Sequence, residues 1–301
     1  MRHINGKTKL LGVFGYPIEH TLSPVMQNAL LQHLEINAVY LPFSFAPHTI
    51  SDAITAFKTF GLIGANLTIP FKETVLDYID ELDPLAEFTK SVNTIYWKNR
   101  EVGGTLVGTT TDPYGAILNL KNTLGDSLKL DKDLKVAILG NGGAAKAIAY
   151  VLAEKGVNLT IVSRNRAKGE QLAKDLENKL FIKVAVSSFE SFAEITPSIN
   201  LIINTTPVGM YPNIEQSPLK KEQLKKHQII YDIVYNPLHT QLLKDAREVG
   251  CQIVTGKGML AAQGAASFAK WFQDYSSSID VLKNAKFMNT ILDTHSKAYY
   301  G

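Results

Sequence analysis

A single cysteine, Cys251, among 301 residues leaves no partner for an intrachain disulfide, and no Cys/His cluster has the spacing of a zinc site. A reducing, cytoplasmic setting without a metal is therefore expected. The opening stretch "MRHINGKTKLLGVFG" carries early positive charge but no apolar run of signal-peptide or membrane-span length, so no membrane partner is expected either. Charge of one sign is also in short supply. With 31 Lys+Arg against 28 Asp+Glu the net charge is +3, without the dense basic stripe and interleaved aromatics that a phosphate backbone requires, which argues against nucleic acid. Repeats and low-complexity tracts are absent. What is present is ordinary globular composition, 45% hydrophobic and 20% charged, in a chain long enough for two domains.

Organisation comes from alternating strand-like and helix-like runs. "KLLGVFG", "NAVYLPFSF" and "IGANLTI" read as strands. "SPVMQNALLQHLEI", "TISDAITAFKTFG" and "PFKETVLDYIDEL" between and after them read as helices, and "VNTIYWKN" with "EVGGTLVGT" reads as an appended hairpin. After the polar stretch "GDSLKLDKDL" the alternation restarts. "KVAILG", "NLTIVSR", "VAVSSF", "NLIINTT", "QIIYDIV" and "CQIVTG" are short strands separated mainly by helical segments, and two helices, "GMLAAQGAASFAKWFQDY" and "IDVLKNAKFMNTIL", close the chain. The expected class is α/β, with a mostly parallel sheet in the first part and a doubly wound, Rossmann-type domain in the second.

"VAILGNGGAAKAIAYVLAEKG" places Gly140, Gly142 and Ala145 as G-x-G-x-x-A between a buried strand and a helix. A tight strand-to-helix turn alone accounts for the glycines; with a second strand at the expected distance the pattern favours a dinucleotide, whose diphosphate approaches a helix N-terminus where side chains are absent. An NAD-binding domain usually ends its second strand in Asp or Glu. Here Ser163 stands near that place, followed by Arg164, Arg166 and Lys168. A solvated basic loop is one reading. A guanidinium pairing with a 2′-phosphate is the other, and it favours NADP.

In the first part, Ser23-Pro24 reads as an N-cap and first helical residue, which leaves Thr21, in a loop at the C-terminal edge of a strand, unexplained. Pro70 as the first helical residue puts Lys72 in the first turn, where the helix dipole disfavours a cation; a lysine so placed gives up its proton more readily, as acid–base work requires, unless it simply bends into solvent. Asp112, before Pro113, reads as an N-cap or as the partner of Lys72.

Together "GYPIEHTLSP", "NLTIPFKE", "VNTI", "GTTTDPYG", "LGNGGAAKAI", "NTTPVGMYP", "YDIVYNPLHTQLL" and "GKGMLAAQGA" resemble, in order and over nearly the whole chain, the shikimate dehydrogenase family. The resemblance implies reversible reduction of 3-dehydroshikimate to shikimate with NADPH, a step of aromatic amino-acid biosynthesis. It makes Lys72 and Asp112 the catalytic pair and Thr21, Ser23, Asn66, Thr68, Asn93 and Gln263 substrate contacts, with Tyr235 approaching from the cofactor domain. For NADP it implies Gly140, Gly142, Gly143 and Ala144 at the diphosphate. Ser163, Arg164, Asn165 and Lys168 would hold the 2′-phosphate, Thr205, Pro207, Val208 and Met210 the ribose segment, and Gly256 and Met259 would border the nicotinamide. A substrate domain of residues 1–115 and 258–301 would enclose an NADP domain of residues 116–257, with the substrate in the cleft, in a monomer or homodimer. Thr21, Thr110 and Ser163 depart from the commoner family residues. The rival readings are a quinate/shikimate dehydrogenase with relaxed substrate or cofactor use, and a non-catalytic NADP-binding regulator.

Overall fold

The structure, a computed structural model, describes residues 4–19, 21–125, 128–272 and 280–299, the side chains of 295–299 excepted. The chain divides into two compact units, Met1–Gly115 with Leu260–Gly301, and Ala116–Met259.

The first unit runs β1 (Lys9–Gly15), α1 (Ser23–His33), β2 (Ala38–Ser44), α2 (Ile50–Thr59), β3 (Gly64–Leu67), the single turn α3 (Phe71–Thr74), β4 (Glu81–Leu82), α4 (Pro84–Thr89), β5 (Thr94–Trp97) and β6 (Leu106–Thr109). It then enters α5 (Asp112–Leu124). Its six-stranded sheet has the order β2-β1-β3-β5-β6-β4. β1 pairs parallel with both β2 and β3, while β5 runs antiparallel to β3 and to β6, the hairpin expected from "VNTIYWKN" and "EVGGTLVGT". Phe14, Ile54, Phe57, Leu67, Phe71 and Trp97 are buried in one core on this sheet. Trp97 satisfies its indole N–H on the Leu62 carbonyl at 2.7 Å, so the largest core side chain is buried without an orphaned donor.

The helix expected over 70–82 is largely absent. Only α3 and a 3₁₀ turn at Leu76–Tyr78 form, because Glu81 and Leu82 extend to pair with Val107 and Gly108 of β6. The helical spacing of Val75, Ile79 and Leu82 is real, but a sheet edge competes for the same residues and wins.

The second unit continues with β7 (Lys135–Leu139), α6 (Gly143–Glu154), β8 (Asn158–Val162), α7 (Arg166–Leu180), β9 (Val184–Ser187), α8 (Phe189–Ile195), β10 (Leu201–Asn204), β11 (Ile229–Asp232), α9 (Gln241–Val249) and β12 (Gln252–Thr255). All six predicted strands form one parallel sheet, order β12-β11-β10-β7-β8-β9. The strand order reverses at β7, and the crevice between the C-terminal ends of β7 and β10 is where such sheets hold ligands. Between β10 and β11 the crossover contains only a 3₁₀ turn, Lys221–Gln223, in place of a helix.

α10 (Lys257–Trp271) leads the chain back into the first unit, and α11 (Val281–Tyr299) packs there on α1. Residues 273–279, onto which the two predicted C-terminal helices extend, lie outside the described residues. Gly64 lets α10 close on the sheet: a Cβ there would enter the Trp271 ring, whose indole N–H is fixed on the Ile95 carbonyl at 3.0 Å.

Candidate active site

Because β1 and β3 are parallel neighbours, the segments that leave their C-terminal ends lie side by side, joined by the Tyr16 N–H on the Ile69 carbonyl at 3.1 Å. These segments carry Thr21, Ser23, Thr68 and Lys72. Ser23 is the first helical residue of α1 and not its cap, the cap position being Leu22 without a side-chain bond. The nearly buried Ser23 hydroxyl makes no hydrogen bond among the described residues, and Thr21 Oγ1 accepts the Ser23 N–H at 3.3 Å.

Lys72 Nζ lies 2.6 Å from Asp112 Oδ2, both side chains about a third exposed. Asp112 opens α5, but the Thr111 carbonyl accepts the first helical bond, from Gly115. Asp112 is therefore inside the helix, and its carboxylate is left for Lys72 and for Asn93 Nδ2, which donates to Oδ1 at 2.7 Å. The anomaly read from the sequence, a cation at the start of a long helix, is not what distinguishes Lys72. α3 is a single turn with little aligned dipole, and the partner carboxylate distinguishes it instead. Gln263, half-buried on α10, reaches Asn93 Nδ2 with Oε1 at 3.4 Å. Gly115 permits this approach, since a Cβ there would meet the Gln263 backbone nitrogen at 2.7 Å.

Beneath these groups lies a buried polar cluster that sequence reasoning missed: Tyr40, Thr94, Thr111 and Ser267, linked through Asn66 and Asn93. Tyr40 donates to Asn66 Oδ1 at 2.8 Å, and Asn66 Nδ2 has Thr94, Ser267 and the Asn93 carbonyl within 3.1 Å. Burial raises the Tyr40 phenol well above its ordinary pKa. Both polar atoms of Asn66 are thus engaged within the protein. One signal could have found Ser267, its position four residues after Gln263 on the same helix face. An apolar hollow of about 550 Å³ lined by Phe14, Phe43, Phe45 and Phe57 shares none of the candidate residues.

In the second unit the glycine turn fits a dinucleotide. Gly140 has φ +113°, and a Cβ there would press on Thr205 and Thr206 of the segment after β10. Gly142 caps α6 without a side chain, and at Gly142 and Gly143 an added Cβ would meet nothing within 4 Å, so the helix N–H groups face open space beside exposed Ala144. Asn141 Nδ2 is a buried donor with no acceptor among the described residues, a second feature suited to an anionic group.

After β8, Arg164 is exposed with no ion-pair partner among the described residues, whereas Arg166 is engaged by Glu170 at 2.8 Å. Ser163 is buried and donates to the Asn165 carbonyl at 2.9 Å, shaping the turn. Asn165 Oδ1 caps α7 on the Lys168 N–H at 3.0 Å, with the Lys168 side chain exposed. Pro207 and Met210 are exposed, Thr205 and Val208 partly so, and Thr205 donates to the Leu139 carbonyl at 2.7 Å. Tyr235 is 72% exposed, Gly256 buried and Met259 half-buried. Asp232 ties this region together. Burial pushes its carboxyl up to about 6 against the opposing pull of Thr240, Val234 and Asn204, which all donate to it.

Among the described residues no group of His, Cys, Asp and Glu could hold a metal ion, and no helix is long and apolar enough to cross a membrane.

Two family models match: the shikimate dehydrogenase substrate binding domain over residues 13–95, and shikimate / quinate 5-dehydrogenase over residues 124–237. The chain is 39% identical to a shikimate dehydrogenase (NADP(+)) of Methanocaldococcus jannaschii, covering 94% of this chain and 97% of that one. Among solved structures it resembles a shikimate 5-dehydrogenase of Listeria monocytogenes in complex with shikimate and NAD (TM-score 0.82, 32% identity, 93% and 98% covered). It also resembles one of Thermus thermophilus in complex with NADP(H) and shikimate (TM-score 0.75, 29% identity, 92% and 100% covered). Two models in tandem, one on each unit, and a relative matched nearly end to end leave one assignment: the chain belongs to the shikimate dehydrogenase family.

Proposed function

We propose that the chain is an NADP-dependent shikimate dehydrogenase, which interconverts 3-dehydroshikimate and shikimate in aromatic amino-acid biosynthesis. The observation that carries this reading is the Lys72–Asp112 pair at 2.6 Å, backed by Asn93 and lying in the unit that matches the substrate binding domain. The first unit is then the substrate domain and the second the NADP domain.

NADP, when bound, takes up or supplies the hydride. Lys72 handles the proton: it gives one to the carbonyl oxygen during reduction and takes it from the hydroxyl during oxidation, while Asp112 fixes the amine in place. Thr21, Ser23, Thr68, Asn93 and Gln263 bind the carboxylate and hydroxyls of the substrate, and Ser23 is supported in this by its uncommitted hydroxyl. Asn66, which also donates to the Asn93 carbonyl at 3.1 Å, and Tyr235 are further substrate contacts. A site lined with such groups rejects analogues lacking a hydroxyl, because its own polar atoms would be left unpaired.

Gly140, Gly142, Gly143 and Ala144 receive the diphosphate, and Arg164, Asn165 and Lys168 the 2′-phosphate. Thr205, Pro207, Val208 and Met210 flank the ribose, with Gly256 and Met259 at the nicotinamide. Ser163 contributes by holding the Arg164 turn. The enzyme works in the cytoplasm as a monomer or homodimer, a setting supported by its single cysteine. The test is Lys72→Ala: kcat for shikimate oxidation should fall by about 10² or more, the scale of a positioned acid–base group. A kcat within about twofold of wild type would remove Lys72 from the mechanism.

A further inference from the structure

The cluster beneath the site converges on Ser267, which lies on α10 and is fully buried. Its Oγ lies 2.8 Å from Thr94 Oγ1, 2.9 Å from Asn66 Nδ2, 3.0 Å from Thr111 Oγ1 and 3.0 Å from the Gln263 carbonyl. Those partners come from β5, β3, the residue before α5, and α10 itself.

Counting hydrogens fixes the Asn93 amide. Asn93 Oδ1 accepts the Thr111 backbone N–H at 2.8 Å, and a backbone N–H can only donate, so the amide oxygen belongs there and the nitrogen faces Asp112. Thr94 gives its one hydrogen to the same oxygen at 2.8 Å, takes one from Asn66 Nδ2 at 3.0 Å and lies 2.8 Å from Ser267 Oγ, whose own hydrogen goes to the Gln263 carbonyl at 3.0 Å. Thr111 Oγ1 accepts an Asn93 amide hydrogen at 3.1 Å and lies 3.0 Å from Ser267 Oγ. Ser267 Oγ therefore bridges Thr94 and Thr111, the two hydroxyls that flank the Asn93 amide, and is itself anchored on the Gln263 carbonyl.

We propose that Ser267 is a positioning residue for the reaction assigned above. It touches neither substrate nor cofactor, but it locks the Asn93 amide so that Nδ2 stays on Asp112 Oδ1 and Oδ2 stays on Lys72. The proposal rests on the reading of Lys72 and Asp112 as the dehydrogenase centre. Without the Ser267 hydroxyl, Thr94 and Thr111 are left to compete for other partners. Thr111 Oγ1 then has Asn93 Oδ1 at 3.2 Å, Thr94 Oγ1 at 3.4 Å and Gln263 Oε1 at 3.5 Å, the first and last on proposed substrate contacts.

The experiment compares Ser267→Ala and Ser267→Thr with Ala265→Gly, which weakens the same helix without removing a polar group. Steady-state kinetics, NADP affinity, Tm and water exchange of the Asn93 side-chain amide by NMR are measured for each. Ser267→Ala should lower kcat about tenfold, in keeping with a small misplacement of reacting groups, while NADP affinity holds. It should also speed Asn93 amide exchange, and Ser267→Thr, which keeps the hydroxyl, should restore most of the rate. Equal kcat and equal Asn93 exchange in Ser267→Ala and Ala265→Gly would overturn the proposal. If the wild type itself fails to oxidise shikimate, the functional reading falls and the exchange measurement alone decides whether Ser267 orients Asn93.

Discussion

Asp232 stands at the end of β11 with no solvent exposure, and its carboxylate accepts Thr240 Oγ1 at 2.6 Å and the Val234 N–H and Asn204 Nδ2 at 3.0 Å each. Burial outweighs those three donors and carries the carboxyl from 3.8 to about 6. At ~1.4 kcal/mol per pH unit, a rise of about 2 units amounts to about 3 kcal/mol. The folded state holds this proton more tightly than the unfolded chain, so the stabilisation is whole below about pH 4 and is lost as pH rises through about 6. Asp232→Asn has no such dependence. Its oxygen can keep Val234 and Asn204, and its nitrogen can donate to Thr240, whose hydroxyl turns to accept. Urea unfolding of both proteins between about pH 4 and 7.5 should show the variant gaining on wild type by about 3 kcal/mol across that range. Taking the difference removes the other carboxylates from the comparison. A difference that stays flat with pH would refute the claim that burial dominates at Asp232.

At Arg164, replacement by alanine removes the exposed guanidinium proposed for the 2′-phosphate, and KM for NADP should rise about tenfold or more while KM for NAD holds. An equal rise for both cofactors would place Arg164 elsewhere in the site. Gly64→Ala drives a Cβ into the Trp271 ring, which its bond to Ile95 keeps from moving aside, and should cost about 1–3 kcal/mol of stability by thermal unfolding. An unchanged Tm would mean that α10 can shift on the sheet.

Strands were the most legible feature of the sequence. Each apolar run of the second unit, from "KVAILG" to "CQIVTG", is a member of its parallel sheet, because strands covered on both faces read as continuous hydrophobic runs. Helices were less secure where a long-range pairing competed, as at Glu81–Leu82, where β6 claims residues whose spacing is helical. Caps misread by one position had consequences for chemistry. Ser23 and Asp112 both look like caps, and because both lie inside their helices their side chains remain uncommitted to capping. Lys72 and Asp112 could be suspected singly, but only the fold brings residues 40 positions apart to 2.6 Å. Tyr40 and Thr94 were illegible for a related reason, and Ser267 was legible only through its place one turn after Gln263. Each is an ordinary residue in its own segment, and its role depends on partners up to 201 positions away, as between Asn66 and Ser267.

The most direct test is a set of initial rates with purified protein: shikimate or quinate, each with NADP or NAD, at matched concentrations. Fast turnover confined to shikimate with NADP is the predicted result, and it would tie the Lys72–Asp112 pair and the basic turn at Arg164 to one reaction. Equal turnover of quinate, or indifference between the two cofactors, would contradict it.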